Sequence, residues 1–430
     1  MRRELNAEQT RDKYRVKETD FTRQRKLSFV LVAVLILRGH KHSLQNALNK
    51  CFGALGKIFA VPTDSAYCHA RQKLKPALFA HLNQVVCQDF YQLYGAEQEV
   101  LTWRGHRVLG YDGSYVNLPD SPELRERFSV QRNQHGAESV QALSGVLYDL
   151  RNDLGLAGAL SKIEAEKNLL LGELWGATGK GDLLVMDRNF ADFAVIAHAV
   201  KDGRDVLIRC PRQCFAVVNE FWASEATDAV VTLTLPTAAT TRRYVRAQAL
   251  PETLTVRLLK FTLPTGETEV LLTTLCDQRR YPSAEFYQVY GWRWGSETYY
   301  DRLKNIFEVE RFSGQTEQAV RQDFHGVMFL TTLESILAKA PQAALRQRDQ
   351  ERRTQTTAQV NRNVSYVALV ERVPQLLADP RASTETVLAE LAHLFQTNPT
   401  RNRAGRKFER KKLKHSRKLR YHRYTKRVVA

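Results

Sequence analysis

The sequence predicts a mixed α/β protein, and three features of its pattern support this. Short apolar runs typical of strands alternate with amphipathic helical segments between residues 107 and 209. A stretch rich in β-type residues follows at 215–275, and helical patterns dominate the regions before and after. Strands that alternate with helices indicate a layered core in which helices cover a sheet. We therefore expect an α/β core that is interrupted by a β-rich insertion and flanked by helical regions.

The first hundred residues show helical periodicity. Apolar residues recur at three- and four-residue spacing in 44–55 and again in 78–93. Between them, residues 61–65 supply a turn and an N-cap for a short helix that carries Arg71 and Lys73. Two helices around a tight turn, the second of them basic, are typical of a helix-turn-helix DNA reader. A plain helical bundle explains the pattern equally well.

Four apolar runs predict the strands of the core, and two helical segments lie between them. The predicted strands are 107–112, 140–149, 183–186 and 205–209, and the predicted helices are 161–175 and 191–201. Beyond them, β-type runs separated by Pro and Gly predict an all-β insertion. Helix resumes near residue 284 and continues with breaks to 340. A polar, Arg-rich linker at 341–363 and two short helices, 364–378 and 384–396, then lead to the basic end.

The charge of the chain indicates a polyanionic partner. Lys and Arg total 64 against 46 Asp and Glu in 430 residues, which gives a formal net charge of +18. Residues 401–427 alone contain 14 of the basic residues and a single Glu. A block of this kind attracts nucleic acid first and an anionic membrane surface second.

The apolar runs and the cysteines argue against a membrane protein and against a structural metal site. The longest apolar run, 27–37, has eleven residues and is too short to span a bilayer. The six cysteines are thinly spread, and the closest pair has no His or Cys partner at zinc-site spacing. We therefore expect a cytoplasmic protein with reduced thiols and no membrane anchor.

Two aspartates occupy equivalent positions in the predicted core. Asp112 and Asp187 each lie at the carboxyl end of a short apolar strand, where α/β folds place their sites. Two carboxylates that converge there repel each other unless a cation lies between them. Hard divalent cations, Mg²⁺ first, suit such oxygen ligands. The alternative is that each aspartate caps a turn, as this residue type commonly does.

A third segment combines a carboxylate with cations and a phenol. Its residues are spaced by three, four and seven positions, which on a helix gives one stripe about 60° wide. Such a stripe can offer one metal ligand and several phosphate donors. A solvated salt-bridge face is the alternative. The four residues of the stripe are Tyr290, Arg293, Glu297 and Lys304.

These segments resemble the DDE transposases of the bacterial insertion sequence 4 family. The order Tyr-x2-Arg-x3-Glu-x6-Lys is a signature of that family, and residues 290–304 match it without a gap. Residues 110–114 and 184–190 are similar to the family's two other acidic motifs. The acids are separated by 75 and 110 residues, and the β-rich insertion falls in the second gap, as in the family.

The resemblance implies an RNase H-like core and a transposase. Such an enzyme excises and integrates an insertion-sequence element by phosphodiester hydrolysis and strand transfer, with two Mg²⁺ (or Mn²⁺) ions clamping the scissile phosphate. The implied catalytic and metal-ligating residues are Asp112, Asp187 and Glu297. The DNA-binding candidates are Tyr290, Arg293, Lys304, Arg188, Arg71 and Lys73.

The same resemblance implies the partners and the domain organisation. The partners are double-stranded DNA, as terminal inverted repeats and as target, and a second copy of the chain in a DNA-bound homodimer. The location is the bacterial cytoplasm at the nucleoid. The expected domains are a helical DNA-binding region (1–98), the first part of the core (99–214), the β-rich insertion (215–268), the second part of the core (269–340), and helices with a basic tail (341–430).

Two alternative functions share most of these features. An RNase H-like nuclease that cuts DNA without strand transfer would carry the same acids. A non-catalytic DNA-binding protein derived from a transposase would keep the basic regions, although loss of an acid would then be expected and all three acids are present.

Overall fold

The computed structural model describes residues 1–23, 25–39, 43–132, 136–263, 265–353 and 356–403. The helices in these residues are α1 (Arg2–Asn6), α2 (Glu8–Tyr14), α3 (Phe29–Arg38), α4 (Leu44–Ala54), α5 (Asp64–Arg71), α6 (Ala77–Ala96), α7 (Pro122–Arg127), α8 (Glu166–Leu169), α9 (Phe193–Lys201), α10 (Ala216–Ala223), α11 (Ala239–Ala247), α12 (Ser283–Gly291), α13 (Trp294–Asp301), α14 (Glu317–Leu337), α15 (Lys339–Glu351), α16 (Arg362–Leu377) and α17 (Thr384–Thr397).

The strands complete the mixed α/β architecture that the sequence predicts. They are β1 (Val108–Asn117), β2 (Ser129–Arg132), β3 (Glu138–Asp149), β4 (Leu154–Ser161), β5 (Leu183–Met186), β6 (Asp205–Arg209), β7 (Asp228–Thr234), β8 (Thr253–Thr262), β9 (Thr268–Thr273), β10 (Thr356–Val360) and β11 (Pro399–Arg403).

The chain forms two compact units. The first unit contains residues 1–93, 115–142 and 301 onward, and the second contains residues 94–114 and 143–300. The three acids that the sequence singles out, Asp112, Asp187 and Glu297, all belong to the second unit.

The second unit is built on a mixed sheet in the order β4-β3-β1-β5-β6-β9-β8-β7. Strands β1, β5 and β6 are parallel neighbours. On either side of them the pairs are antiparallel, β3 with β4 at one side and β6 with β9, β9 with β8 and β8 with β7 at the other. All four residues of β5 are buried, and such continuous apolar runs are typical of strands that are covered on both faces.

One apolar cluster joins the sheet of this unit to helix α12. Phe286, Val289 and Tyr290 of α12 pack with buried residues of the strands, among them Val108, Val185, Leu207 and Leu271. Burying side chains of this size is worth about 1.5–3 kcal/mol each. The cluster therefore holds the segment that precedes Glu297 firmly on the sheet.

The first unit is mainly helical. The eleven-residue apolar run of the sequence becomes α3, in which eight residues are buried and Ser28 caps the N-terminus by accepting from Leu31 N. Helix α3 contacts α14 and α16, and its burial in a helical core explains why its sequence is apolar on all sides. In the described part of the chain, every helix is too short or too polar to cross a membrane.

Two features of the fold correct the sequence-based picture. The insertion is not all-β, because it contains α10 and α11, and the β-type residues at 244–247 lie in α11. Residues 341–363 are not a linker, since they include most of α15 and all of β10. Strand β10 pairs antiparallel with β11, so residues 399–403 belong to the folded unit. The rest of the predicted basic tail, from residue 404, lies outside the described residues.

Candidate active site at the ends of strands β1 and β5

Asp112 lies in strand β1, and Asp187 directly follows the neighbouring strand β5. Strands β1 and β5 pair in parallel with Gly110 opposite Val185. Asp112 in β1 and Asp187, which directly follows β5, each come two residues after this last pair, and residues two apart on a strand face the same side of the sheet. The pairing therefore brings two of the predicted acids together although 75 residues separate them.

The helix of Glu297 packs against the same face of β1. A Cβ atom at Gly110 would come within 2.2 Å of Ser296 Oγ, so only a glycine permits this close approach of strand and helix. Further along α13, the hydroxyl of Tyr300 donates to the carbonyl oxygens of Ser144 at 2.8 Å and Asp112 at 3.1 Å. These contacts fix α13, and with it Glu297, beside the two aspartates.

The electrostatics of Asp112 show that the three carboxyl groups share one environment. Burial raises the pKa of Asp112 to about 6, and the charges of Asp187 and Glu297 act in the same direction. The backbone N–H of Gly113, which donates to Asp112 Oδ1 at 2.9 Å, and the charge of Arg293 act against this rise. A nearby cation would therefore stabilise the ionised carboxylate of Asp112.

Glu297 already has a cationic partner. Arg293 Nη2 donates to Glu297 Oε1 at 2.7 Å, and the arginine side chain is the less exposed of the two, at 17% against 39%. Burial works against the charged guanidinium, but the bond to Glu297 and the charges of Tyr290 and Asp112 outweigh it and raise the pKa of Arg293. The carboxylate of Glu297 is therefore bound by a side chain of the same protein.

The predicted stripe does not lie on a single helix. Helix α12 ends at Gly291 and α13 begins at Trp294, so Arg293 lies in the break. Lys304 lies in a π-helical turn that follows α13 and belongs to the first unit, where its ammonium donates to Tyr115 O at 2.7 Å. Gly291 has a low helix propensity, which favours a helix end at this point. The continuous-helix interpretation is therefore wrong.

Tyr290 and Arg188 differ sharply in exposure. Tyr290 is only 9% exposed in the apolar cluster, and burial raises its pKa to about 12. The guanidinium of Arg293 lies 5.9 Å from the centre of its ring. Arg188 begins a 3₁₀ turn directly after Asp187 and is exposed. Tyr290 thus supports Arg293 from the core, and Arg188 presents its charge to solvent.

Arg71 requires a correction. Its side chain is buried, and its guanidinium donates to Asp323 Oδ1 at 2.7 Å, Gln322 Oε1 at 2.7 Å and Ser313 Oγ at 2.6 Å. A further bond reaches the carbonyl oxygen of Ala319 at 3.0 Å. Since these donors are all used inside the first unit, Arg71 is a structural residue and not a DNA contact.

Lys73 remains a DNA-binding candidate. Its side chain is 42% exposed and lies 3.8 Å from Asp20. It lines a groove of about 980 Å³ between residues 19–27 and α5. The basic side chains of this groove are Arg23, Arg25, Lys26, His69 and Lys73, and one acid, Asp20, also lines it. The groove can therefore attract a polyanion.

One further acid lies beside the two aspartates and was not identified from the sequence. Burial raises the pKa of Glu166, and the charges of Asp112 and Asp187 raise it further. Glu166 follows β4, a strand that the sequence pattern did not predict because it is rich in Gly and Ala. A correctly placed β4 would have directed attention to the residues that follow it.

The side chains of this site are of the chemical type that binds a hard divalent ion. They offer carboxylate oxygens, which Mg²⁺ and Mn²⁺ prefer. In the described ranges, no three His, Cys, Asp or Glu side chains stand close enough together to hold a metal ion as they are placed. Binding an ion would therefore require the side chains to close around it.

Comparison with known proteins identifies related chains. Residues 160–333 match the family model of the transposase DDE domain. The chain is 25% identical over 234 residues to the transposase InsG of insertion sequence element IS4 from Escherichia coli (strain K12). That match covers 54% of this chain and about half, 52%, of the relative's length. A cryo-EM structure of the piggyBac transposase synaptic complex with hairpin DNA matches with 10% identity and a TM-score of 0.43, covering 91% of this chain and 84% of that one.

Proposed function

We propose that this chain, which is similar to DDE transposases of the insertion sequence 4 family, is such a transposase and excises and integrates an insertion-sequence element. The observation that supports the proposal is the parallel pairing of β1 and β5, since Asp112 and Asp187 each follow the last paired residues, Gly110 and Val185, by two positions. The helix of Glu297 packs on the same face through Gly110. Three acids from distant parts of the sequence thereby approach one another where a scissile phosphate would lie.

The three acids would hold two divalent ions, Mg²⁺ or Mn²⁺. When bound, such ions activate the attacking oxygen and stabilise the leaving oxygen of the phosphodiester. Asp112 and Asp187 are fixed by the strands, and their carboxylates are already oriented by backbone N–H groups of Gly113 and Asn189. Glu297 is the acid that has to change partner, because Arg293 binds it in the DNA-free chain.

Arg293 is placed to make that exchange. A DNA phosphate that approaches the site competes with Glu297 for the guanidinium, and a bidentate arginine–phosphate pair is a strong interaction. The carboxylate of Glu297 is released as the phosphate is bound. The arrival of DNA and the completion of the acidic site are thereby linked.

The reaction has two steps. In hydrolysis, a water oxygen forms a bond to phosphorus at the end of the element, the bond from phosphorus to the 3′ oxygen breaks, and that oxygen takes up a proton. In strand transfer, the freed 3′-hydroxyl forms a bond to a phosphorus of target DNA and loses its proton. The bond from that phosphorus to the target's own 3′ oxygen breaks, and that oxygen takes up a proton. The protein contributes position and charge neutralisation in both steps.

The proposed DNA contacts come from both units. Arg293, Arg188 and Lys304 would hold phosphates at the ends of the element, with Tyr290 supporting Arg293 from the core. Lys73 and the basic groove of the first unit would bind the terminal repeats. We assign the chain to a DNA-bound homodimer in the bacterial cytoplasm at the nucleoid. The antiparallel pair β3 and β4 and the parallel neighbours β1, β5 and β6 support an RNase H-like core within the domain limits given above.

The test is a cleavage and joining assay with the full chain. Its substrates are labelled DNA from either side of the gene, Mg²⁺ and a target plasmid, and a second set carries pre-cut ends with free 3′-hydroxyls. We expect cuts at fixed positions on both sides and joined products from the pre-cut ends. Asp187→Asn should give neither, whereas Glu220→Gln, a change of an exposed residue on α10, should behave as wild type.

The same assay separates the alternatives. Cutting without joining would support a nuclease and contradict strand transfer. DNA binding with no cutting in wild type would support a non-catalytic DNA-binding protein and contradict both reaction steps.

A further inference from the structure

The loop between α4 and α5 in the first unit presents an aromatic side chain to solvent. Phe59 lies in the 3₁₀ turn Ile58–Ala60 and is fully exposed, at 101%. The neighbouring Ile58 is half exposed. Phenylalanine is one of the residue types that proteins most often bury, yet no part of the chain that the structure describes covers this ring. A partner that covers the ring would therefore gain free energy from its burial.

Both ends of this loop are fixed on α4. At the first end the chain reverses at Gly56, which has a φ of +66°, and Lys57 N donates to Phe52 O at 2.7 Å. This bond and the left-handed glycine are typical of a Schellman helix end. At the second end, the side-chain amide of Gln45 donates to Pro62 O at 3.1 Å. The exposed ring is therefore carried by an anchored loop.

The surroundings of the ring are basic. Lys57 directly precedes the turn and is exposed. The side chain of Arg381 is 70% exposed and donates at 2.8 Å to a carbonyl oxygen at the start of the loop. Residues 61–63, which follow the turn, line the basic groove described above. Two acids lie in the same region, Asp64 at the start of α5 and Asp379, which is paired with Arg381. The loop and the groove together therefore complement a polyanion.

The size of the exposed apolar surface distinguishes between partners. A phenylalanine contributes about 150–250 Å² of surface, whereas a stable protein–protein interface buries about 800 Å² on each partner. The turn alone is thus too small to form an interface with a second protein. Proteins that bend DNA, in contrast, insert a single Phe, Leu, Ile or Met side chain between stacked base pairs from the minor groove, while basic residues hold the phosphates. A lone aromatic ring among cations matches the second case.

We propose that Phe59 is a wedge that inserts between stacked base pairs from the minor groove of the terminal-repeat DNA, while the basic groove holds the adjoining phosphates. The inference rests on the proposed function, because it takes the groove to bind the ends of the element. It adds that binding kinks the DNA at one base step. The cost of unstacking that step is offset by burial of the ring and by the closer approach of phosphates to the groove. The alternative is that the ring contacts a second copy of the chain.

The experiment measures how tightly the full chain binds, and how strongly it bends, DNA from either side of the gene. Divalent ions are left out so that no cleavage occurs, and circular-permutation gel shifts give the bend, which we expect to be about 20–90° in wild type. Phe59→Ala should bind about tenfold more weakly and lose most of the bend at saturating protein. Phe59→Leu should keep the bend, since leucine also serves as a wedge. Leu93→Ala, a change of another exposed apolar side chain on α6, should behave as wild type.

Two further measurements separate a wedge from a phosphate contact and from a structural residue. Phe59→Ala should keep the salt dependence of wild type, because no phosphate contact is lost. Lys73→Ala should lower the slope of log K against log salt by about one and keep the bend at saturation. Thermal unfolding of Phe59→Ala should match wild type, since a fully exposed side chain contributes little to the fold.

The outcomes separate this inference from the proposed function. An unchanged bend in Phe59→Ala would overturn the wedge and leave the proposed function intact. Weaker self-association of Phe59→Ala in sedimentation of the DNA-free chain, with the bend retained, would make the ring a contact between copies. A lower unfolding temperature would show that the ring packs within the chain, and the inference fails. Bending that depends on Phe59 in a chain that neither cuts nor joins DNA would support the inference and contradict the proposed function. If wild type binds none of the DNA, both fail together.

Discussion

Arg71 in the first unit and Arg293 in the second are both arginines that the sequence marks for DNA, yet their surroundings differ. Arg71 is buried, and four bonds inside the protein occupy its guanidinium. Arg293 binds Glu297 with one nitrogen, while its Nε has no partner among the described residues. An arginine with free N–H donors beside a reactive site can exchange partners, whereas one whose three nitrogen atoms are all hydrogen-bonded inside the protein stabilises the fold.

The strongest test of the second unit removes the charge of one acid at a time. Asp112→Asn, Asp187→Asn and Glu297→Gln should each lower DNA cleavage by at least about a thousandfold, because the residues of a catalytic group act together. Gel-shift binding of the same DNA should persist. Retained cleavage in any one variant would remove that residue from the catalytic group. Glu220→Gln on the exposed face of α10 serves as the matched control.

The difference between Arg71 and Arg293 can be tested by measuring the free energy of unfolding of their alanine variants. Arg71→Ala should lower the free energy of unfolding by about 3–5 kcal/mol, because Asp323 is left as an unpaired, largely buried charge. Arg293→Ala should cost less than about 1 kcal/mol, since its partner Glu297 is partly exposed. Urea denaturation of both variants gives the two values. Equal losses of stability in the two variants would contradict the distinction. The double variant Arg71→Ala/Asp323→Ala should lose less stability than the sum of the two single changes.

For DNA binding we expect the opposite order, so that the substitution at Arg293 has the large effect. Arg293→Ala is expected to weaken binding of element-end DNA about ten- to a hundredfold, because it removes a charge-assisted phosphate contact. Lys304→Ala should fall in the same range, and Lys73→Ala at the groove should have a smaller effect. Titration by gel shift at fixed salt measures all three. Lys201→Ala, an exposed change on α9, is the control, and indifference of Arg293→Ala and Lys304→Ala alike would show that these residues do not hold DNA.

The smallest expected effect concerns pH. Because burial raises the pKa of Asp112 to about 6 from 3.8, its ionisation opposes folding. Stability of the metal-free chain should fall as pH rises from about 4 through 6 and stay reduced above that range. Asp112→Asn should therefore be more stable than wild type at pH 8 by about 1–2 kcal/mol and equal to it near pH 4.

A matched aspartate-to-asparagine substitution in the first unit should change the stability at pH 8 in the opposite direction. Asp323→Asn removes the partner of Arg71 and should destabilise the chain at pH 8. Urea midpoints of the two aspartate variants at pH 4.5 and pH 8 make the measurement. A midpoint of Asp112→Asn below that of wild type at pH 8 would contradict the assigned environment of Asp112.

The sequence predicts the elements that carry a strong local pattern. Strand β6 begins and ends with the predicted strand at 205–209, whose centre, residues 206–208, is the apolar run that a strand buried between neighbours needs. Helix α17 is similarly clear, with Ser383 as a cap and a regular apolar face behind it. Local signals of this kind need no knowledge of the rest of the chain.

Features that depend on distant residues were missed. The burial of Arg71 is set by Asp323, 252 residues away, so a basic residue on a helix-turn-helix pattern looked like a DNA contact. The residues of α11 include Thr, Tyr and Val, which favour strands in isolation. The break between α12 and α13 follows from how α12 packs on the sheet, which periodicity along one segment cannot show. Tertiary contacts outweighed local preference in each case.

The bonds of Arg2 have a consequence for synthesis of the protein. Its guanidinium donates to the carbonyl oxygens of Gln375 at 2.6 Å, Leu376 at 2.8 Å and Ala382 at 3.2 Å. A nascent chain cannot make these bonds until residue 382 has left the ribosome, long after the second unit, complete at residue 300, is free to fold. The groove-bearing first unit is therefore finished last, and a prematurely terminated product would carry the acidic site without a completed first unit.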